Sequence, residues 1–194
     1  MSLAGKLTSA ADREVQLIQF TIGDLRKHFN DYTTMAHSVK EGVQLYGKKD
    51  PKISEILEMN IGLPKEEWMR GWYNRWLVKF NLGKDLIEMG RKYKKEYPGI
   101  ENTVNDTIAR ACVNFAILYL EKKGEVPVSR SQLIKGLNPL LDSGEMSGLK
   151  LATKYSGKDK EIPLDEAEKV LTAAMFFKKR LYKLIGEAAV CKDI

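Results

Sequence analysis

Between Ile18 and Tyr46 the chain repeats apolar residues at alternating spacings of four and three: Ile18, Ile22, Leu25, Phe29, Tyr32, Ala36, Val39, Val43 and Tyr46. An α-helix turns once in about 3.6 residues, so this spacing gathers the whole set onto one stripe. A half-buried strand would instead alternate at every second residue, and nowhere in the chain is such alternation sustained. The stripe predicts one long amphipathic N-terminal helix, or two nearly collinear ones, packed against other helices within the subunit or between subunits. Gly23, Gly42 and Thr33-Thr34 are its weak points, because each lowers helix propensity. Ile18, Phe29 and Tyr32 are its interface candidates.

The remaining punctuation is also helical. Ser9 is the predicted first N-cap, with Asp12 and Glu14 where a helix N-terminus favours negative charge. Asp50-Pro51 predicts a cap followed by proline at the first helical position, opening a short helix through Met59. Pro64 is expected to open the next helix in the same way, with Gly83 and Gly90 as interruptions and Tyr97-Pro98-Gly99 as its stop. From Asn102 to Lys123, the residues Val104, Ile108, Cys112, Phe115 and Tyr119 recur at helical spacing in a strongly apolar segment, which predicts the central core helix.

Gly124 and Pro127 end that segment. Ser129 and Gln132 suit a capping box for a short helix around Leu133, which Asn138-Pro139 closes. The stretch 142–162 is rich in Gly, Ser and Lys and reads as a loop or short helical turns, with a mobile basic tip at Lys154 to Lys160. Pro163 precedes a last helix of about 25 residues, with Val170, Ala173, Ala174, Phe177, Leu181 and Leu184 on its inner face. The expected fold is all-α: an irregular bundle of five to seven helices, including a long N-terminal amphipathic helix and a long C-terminal helix. The expected organisation is a tail at 1–8 and a single helical domain at 9–194, with 98–102 as the candidate subdivision.

A chain of 194 residues that is 43% hydrophobic and 30% charged can bury a core. Its net charge of +6 favours anionic partners. Cys112 and Cys191 are too far apart in sequence for a metal or redox motif, and Cys112 reads as a buried free thiol. No apolar stretch of signal-peptide length opens the sequence, and no run approaches the roughly 18 apolar residues of a membrane span. A cytoplasmic or virion location is expected.

Enzyme signatures are absent: no Walker-type phosphate loop, no GxGxxG after a strand and no GxSxG. His28 and His37 are nine apart, so one helix would point them to opposite sides, and His28 borders the apolar stripe as a core-edge residue. No catalytic residue, metal, cofactor or small-molecule substrate is expected. Basic features are richer. Arg91, Lys92, Lys94 and Lys95 surround Tyr93, and Lys178, Lys179, Arg180 and Lys183 surround Tyr182. Lys48, Lys49 and Lys52 form a third cluster, and Lys154, Lys158 and Lys160 a fourth. Such cations neutralise phosphates, and tyrosine stacks on bases. The same pattern also arises on a solvated helix face whose lysines complement the helix dipole.

The segment EEWMRGWYNRWLVKF holds Trp68, Trp72 and Trp76 at spacings of four. On a helix they occupy one edge of an apolar half-cylinder that Met69, Tyr73, Leu77 and Phe80 complete. Arg75 and Lys79 line that edge, placed for cation–π contact and for phosphate. The tryptophans therefore read as packing, in a core or at an interface, rather than as a base-stacking ladder.

Two functional readings follow. One is a non-enzymatic nucleic-acid-coating structural protein of nucleocapsid or coat type, which binds RNA or DNA phosphates without sequence choice and assembles as a homo-oligomer. The alternative is a helical protein–protein interaction or scaffold module.

Overall fold

A computed structural model describes residues 21–30, 39, 51–59, 61, 64–98, 102–127, 129–158 and 160–185. Among these residues the fold is all-α, as expected, with seven helices and one two-stranded bridge. The helices are α1 (Ile22–Asn30), α2 (Pro51–Glu58), α3 (Glu66–Glu96), α4 (Thr107–Lys122), α5 (Arg130–Leu137), α6 (Ser143–Tyr155) and α7 (Leu164–Ile185). The strands are β1 (Thr103–Val104) and β2 (Ile162–Pro163). The chain divides into two compact units, Met1–Gly62 and Leu63–Ile194. The helices flanking 98–102 share one core.

In the first unit, Thr21 caps α1. Its Oγ1 accepts from the Asp24 backbone N–H at 3.1 Å, and Asp24 Oδ2 accepts from the Thr21 backbone N–H at 3.2 Å. Leu25 and Ile56 are buried together, and Arg26 pairs with Glu55 at 3.5 Å. Pro51 opens α2 as expected. Only the part of the predicted N-terminal stripe that α1 and Val39 carry is described. Ile18, Tyr32 and the Phe29 side chain lie outside the described residues, as do Ser9, His37, Lys48, Lys49 and Cys191.

In the second unit, α4 is the core. Ile108, Ala109, Ala111, Cys112, Phe115 and Ala116 are fully buried. Burial pushes the Cys112 thiol far above its ordinary range, which keeps it protonated. Helix α3 packs antiparallel to α4, with Phe115 meeting Tyr73 and Phe80. Helix α7 runs beside α4, with Tyr119 meeting Phe177. Helix α6 packs on α7 through Gly148.

Four expectations are corrected here. Helix α3 is uninterrupted from Glu66 to Glu96, and Pro64 lies ahead of its N-cap, Lys65, rather than at its first turn. Gly83 and Gly90 are contact points instead of breaks. A Cβ on Gly83 would lie 2.8 Å from Ile108 Cβ, and the Gly90 carbonyl accepts from the Asn102 side-chain amide. The core helix starts at Thr107 rather than Asn102, because Thr103 and Val104 pair antiparallel with Pro163 and Ile162. Two residues a side are too few for alternation to register. On α7 the last inward residue is Ile185, while Leu184 is exposed.

The fourth correction is the largest. Residues 143–155 form one continuous helix, α6, rather than a loop or short helical turns. Asp142 and Glu145 form a complete capping box, with Glu145 N–H donating to Asp142 Oδ1 at 2.7 Å and Asp142 N–H donating to Glu145 Oε2 at 3.1 Å. Met146, Leu149, Ala152 and Tyr155 form the buried face. Only the short link from Ser156 to Glu161 separates α6 from β2.

That link is fastened by one buried carboxylate. Asp106 Oδ2 accepts from Arg110 Nε at 2.7 Å and from the Gly157 backbone N–H at 3.0 Å. Asp106→Ala is expected to cost about 1–2 kcal/mol, since a charge-assisted bond to Arg110 is lost together with the acceptor of the Gly157 N–H. Urea unfolding checks this. A loss under about 0.5 kcal/mol would show that the link does not depend on Asp106.

Candidate nucleic-acid interface

The expected phosphate-binding cations separate into two groups along α7. Its first turns carry Asp165, Glu166 and Glu168, while Thr172 to Ile185 carries Lys178, Lys179, Arg180 and Lys183 with no carboxylate. This order suits the helix dipole, which favours anions at the N-terminus and cations at the C-terminus.

At the acidic end, three of the candidates meet partners. Arg91 Nε reaches Glu168 Oε1 at 2.6 Å, Lys94 Nζ reaches Asp165 Oδ1 at 3.0 Å, and Lys154 Nζ reaches Glu166 Oε2 at 3.4 Å. The Glu168 hydrogen bond and charge hold the Arg91 guanidinium above its ordinary range. Lys154 is raised in the same direction by the Tyr155 hydroxyl and by Glu166, and it lies 4.6 Å from the Tyr155 ring centroid. These three cations tie α3 and α6 to the start of α7. Lys92, Lys95 and Lys158 beside them are exposed.

At the other end the α7 cations converge without carboxylate partners among the described residues, while Lys84 at the margin pairs with Glu88 at 3.3 Å. Lys179, Arg180 and Lys183 are exposed on the outer face of α7. Among the described residues, none of the three makes an ion pair. Toward α4, Arg180 Nη1 lies 3.4 Å from the Tyr119 hydroxyl, and Lys123 Nζ lies 5.9 Å from the Tyr119 ring centroid. Toward α3, Lys178 Nζ sits 4.6 Å from the Phe80 ring centroid. Partial burial, then the charge of Lys84, pulls Lys178 below its ordinary value. A cationic band thus crosses α7 from Lys123 to Lys84.

Sequence reasoning found the α7 members of this band and missed Lys123, Tyr119 and Lys84. Those three lie on other helices, and no local spacing links them to Arg180.

The tryptophans occupy the edge expected of them. Trp68, Trp72 and Trp76 are partly buried and pack against their own core, whose centre on α3 is Met69, Tyr73, Phe80 and Ile87. Trp72 and Trp76 stack at 6.3 Å with an interplanar angle of 17°, and the Arg75 guanidinium lies 5.1 Å from the Trp72 ring centroid. Lys79 is exposed beside them.

No protein-family model, curated protein or solved structure matches this chain. Among the described residues no helix is long and apolar enough to cross a membrane, and no cluster of His, Cys, Asp and Glu is placed to hold a metal ion. The site is characterised by its own chemistry: positive charge beside the Tyr119 and Phe80 rings.

Proposed function

We propose that this chain is a non-enzymatic protein that coats nucleic acid without reading its sequence, in the manner of a nucleocapsid or coat subunit, and packs against copies of itself. One observation carries the reading: Lys179, Arg180 and Lys183 gather on α7 with no ion pair among the described residues, while Arg91, Lys94 and Lys154 at the opposite end are paired. Phosphate neutralisation by such a band needs no base contacts and is salt-dependent. A cytoplasmic or virion location accompanies this reading.

Anisotropy of labelled oligonucleotides of unrelated sequence, titrated over a range of salt, tests it. The triple variant K179E/R180E/K183E is expected to bind on the order of 100-fold more weakly at low salt and to lower the salt slope by about 2. R91A/K94A is expected to change the slope far less, because both residues already have protein partners. Failure of the native chain to bind any oligonucleotide at low salt would sink the reading.

A helical protein–protein interaction module is favoured by a different feature. Val78, Leu82, Met89 and Tyr93 recur at helical spacing along α3, and all are exposed, Met89 by 67%. In the coating reading, the same stripe is a surface for self-packing.

A further inference from the structure

Arg180 is held at two points. Its guanidinium lies 4.3 Å from the Phe176 ring centroid, and its Nη1 lies 3.4 Å from the Tyr119 hydroxyl. Two shallow depressions meet at this residue. One, of about 330 Å³, is lined by Tyr119, Leu184, Arg180 and Lys183. The other, of about 250 Å³, is lined by Phe176, Lys179, Arg180 and Lys183. Both have an aromatic ring in the lining, and they share the same two cations. Tyr119 is only 4% exposed, so its side chain is fixed by the core beneath.

We infer that this pair of depressions binds an unpaired strand, with Arg180 anchoring one phosphodiester group and the two depressions taking the flanking bases. The inference rests on the coating function and specifies the nucleic acid. A single strand alternates base, phosphate and base, and each base offers an open π-face. The depressions and their shared cations alternate in the same order. In a duplex the base faces are stacked inside, so only its phosphates can meet the band. A guanidinium stacked on Phe176 is a planar fork that stays flat against a ring and donates two bonds to one phosphate, which an ammonium cannot do.

The test compares a labelled single-stranded oligonucleotide with its own duplex, using the full chain and the R180K variant. Native protein is expected to bind the single strand about tenfold more tightly than the duplex. R180K, which keeps the charge, is expected to lose about tenfold for the strand and less than about twofold for the duplex. K135R, a cation-for-cation change at an exposed α5 position outside the band, is expected to stay within about twofold of native for both. Equal native affinity for strand and duplex overturns the inference, and so does R180K binding the strand as native does. In each of these cases the α7 band keeps its role. If the native chain binds neither form, the coating function falls with the inference.

Discussion

Phe115→Ala is expected to destabilise the chain by about 4 kcal/mol, at the upper end for a core truncation. Phe115 is fully buried midway along α4, with ring centroids 5.5 Å from Tyr73 and 6.1 Å from Phe80. It therefore fills the seam where α3 crosses the core helix. Removing the ring forfeits its transfer free energy and its two aromatic contacts, and it leaves a cavity. The cavity cannot close easily. Tyr73 and Phe80 lie on a helix that Gly83 already holds against Ile108, so α3 has little freedom to move inward. Thermal unfolding should begin on the order of 10 °C lower. Phe115→Leu keeps most of the volume and should cost only about 1–1.5 kcal/mol. A Phe115→Ala loss below about 1 kcal/mol would mean that the seam is not packed around this ring.

The core helix was legible because its information is local. Its apolar residues follow one another at helical spacing, and so many of them on every side of the helix require burial all round. The Trp68–Phe80 half-cylinder was legible for the same reason, down to the cation over Trp72. What sequence reading missed depends on distant partners. The β1–β2 bridge joins residues far apart in the chain through two residues a side, too short to leave a pattern. The cationic band joins Lys84, Lys123 and Arg180 from three helices, and only the Lys178–Lys183 part is contiguous. Conversely, the Arg91–Lys95 run looked like a phosphate site because its acids, Asp165 and Glu168, are supplied from α7. Charge runs show where cations are, and packing decides which of them remain open to a ligand.

Glycine was misread most, at Gly83, Gly90 and in α6, for one physical reason. In isolation glycine lowers helix propensity, so DSGEMSG reads as a loop or short helical turns. In the folded chain, Gly148 is the point where α6 crosses α7 with no side chain between them. The capping signal Asp142…Glu145 was present and marks the helix start, but its weight was lost beside two serines and two glycines.

Gly148→Val is the sharpest test of that account and carries the second-largest expected effect, a loss of about 3 kcal/mol or more. A Cβ at this position would run into the Lys169 backbone carbonyl and lie 2.9 Å from Ala173 Cβ. The first obstacle is backbone, which cannot swing aside as a side-chain tip can. Relief requires α6 to lift from α7, which would open the buried contacts of Met146, Leu149 and Ala152. Gly148→Ala should lie between native and Val. The control is Gly71→Ala on the exposed side of α3, where nothing lies within 4 Å of the added Cβ. There the higher helix propensity of alanine should stabilise by about 0.5–1 kcal/mol. The two glycines are equally poor helix formers by composition, so opposite signs at 71 and 148 would separate propensity from packing directly. Stabilisation by alanine at both positions, read in urea denaturation, would contradict the close crossing of α6 and α7.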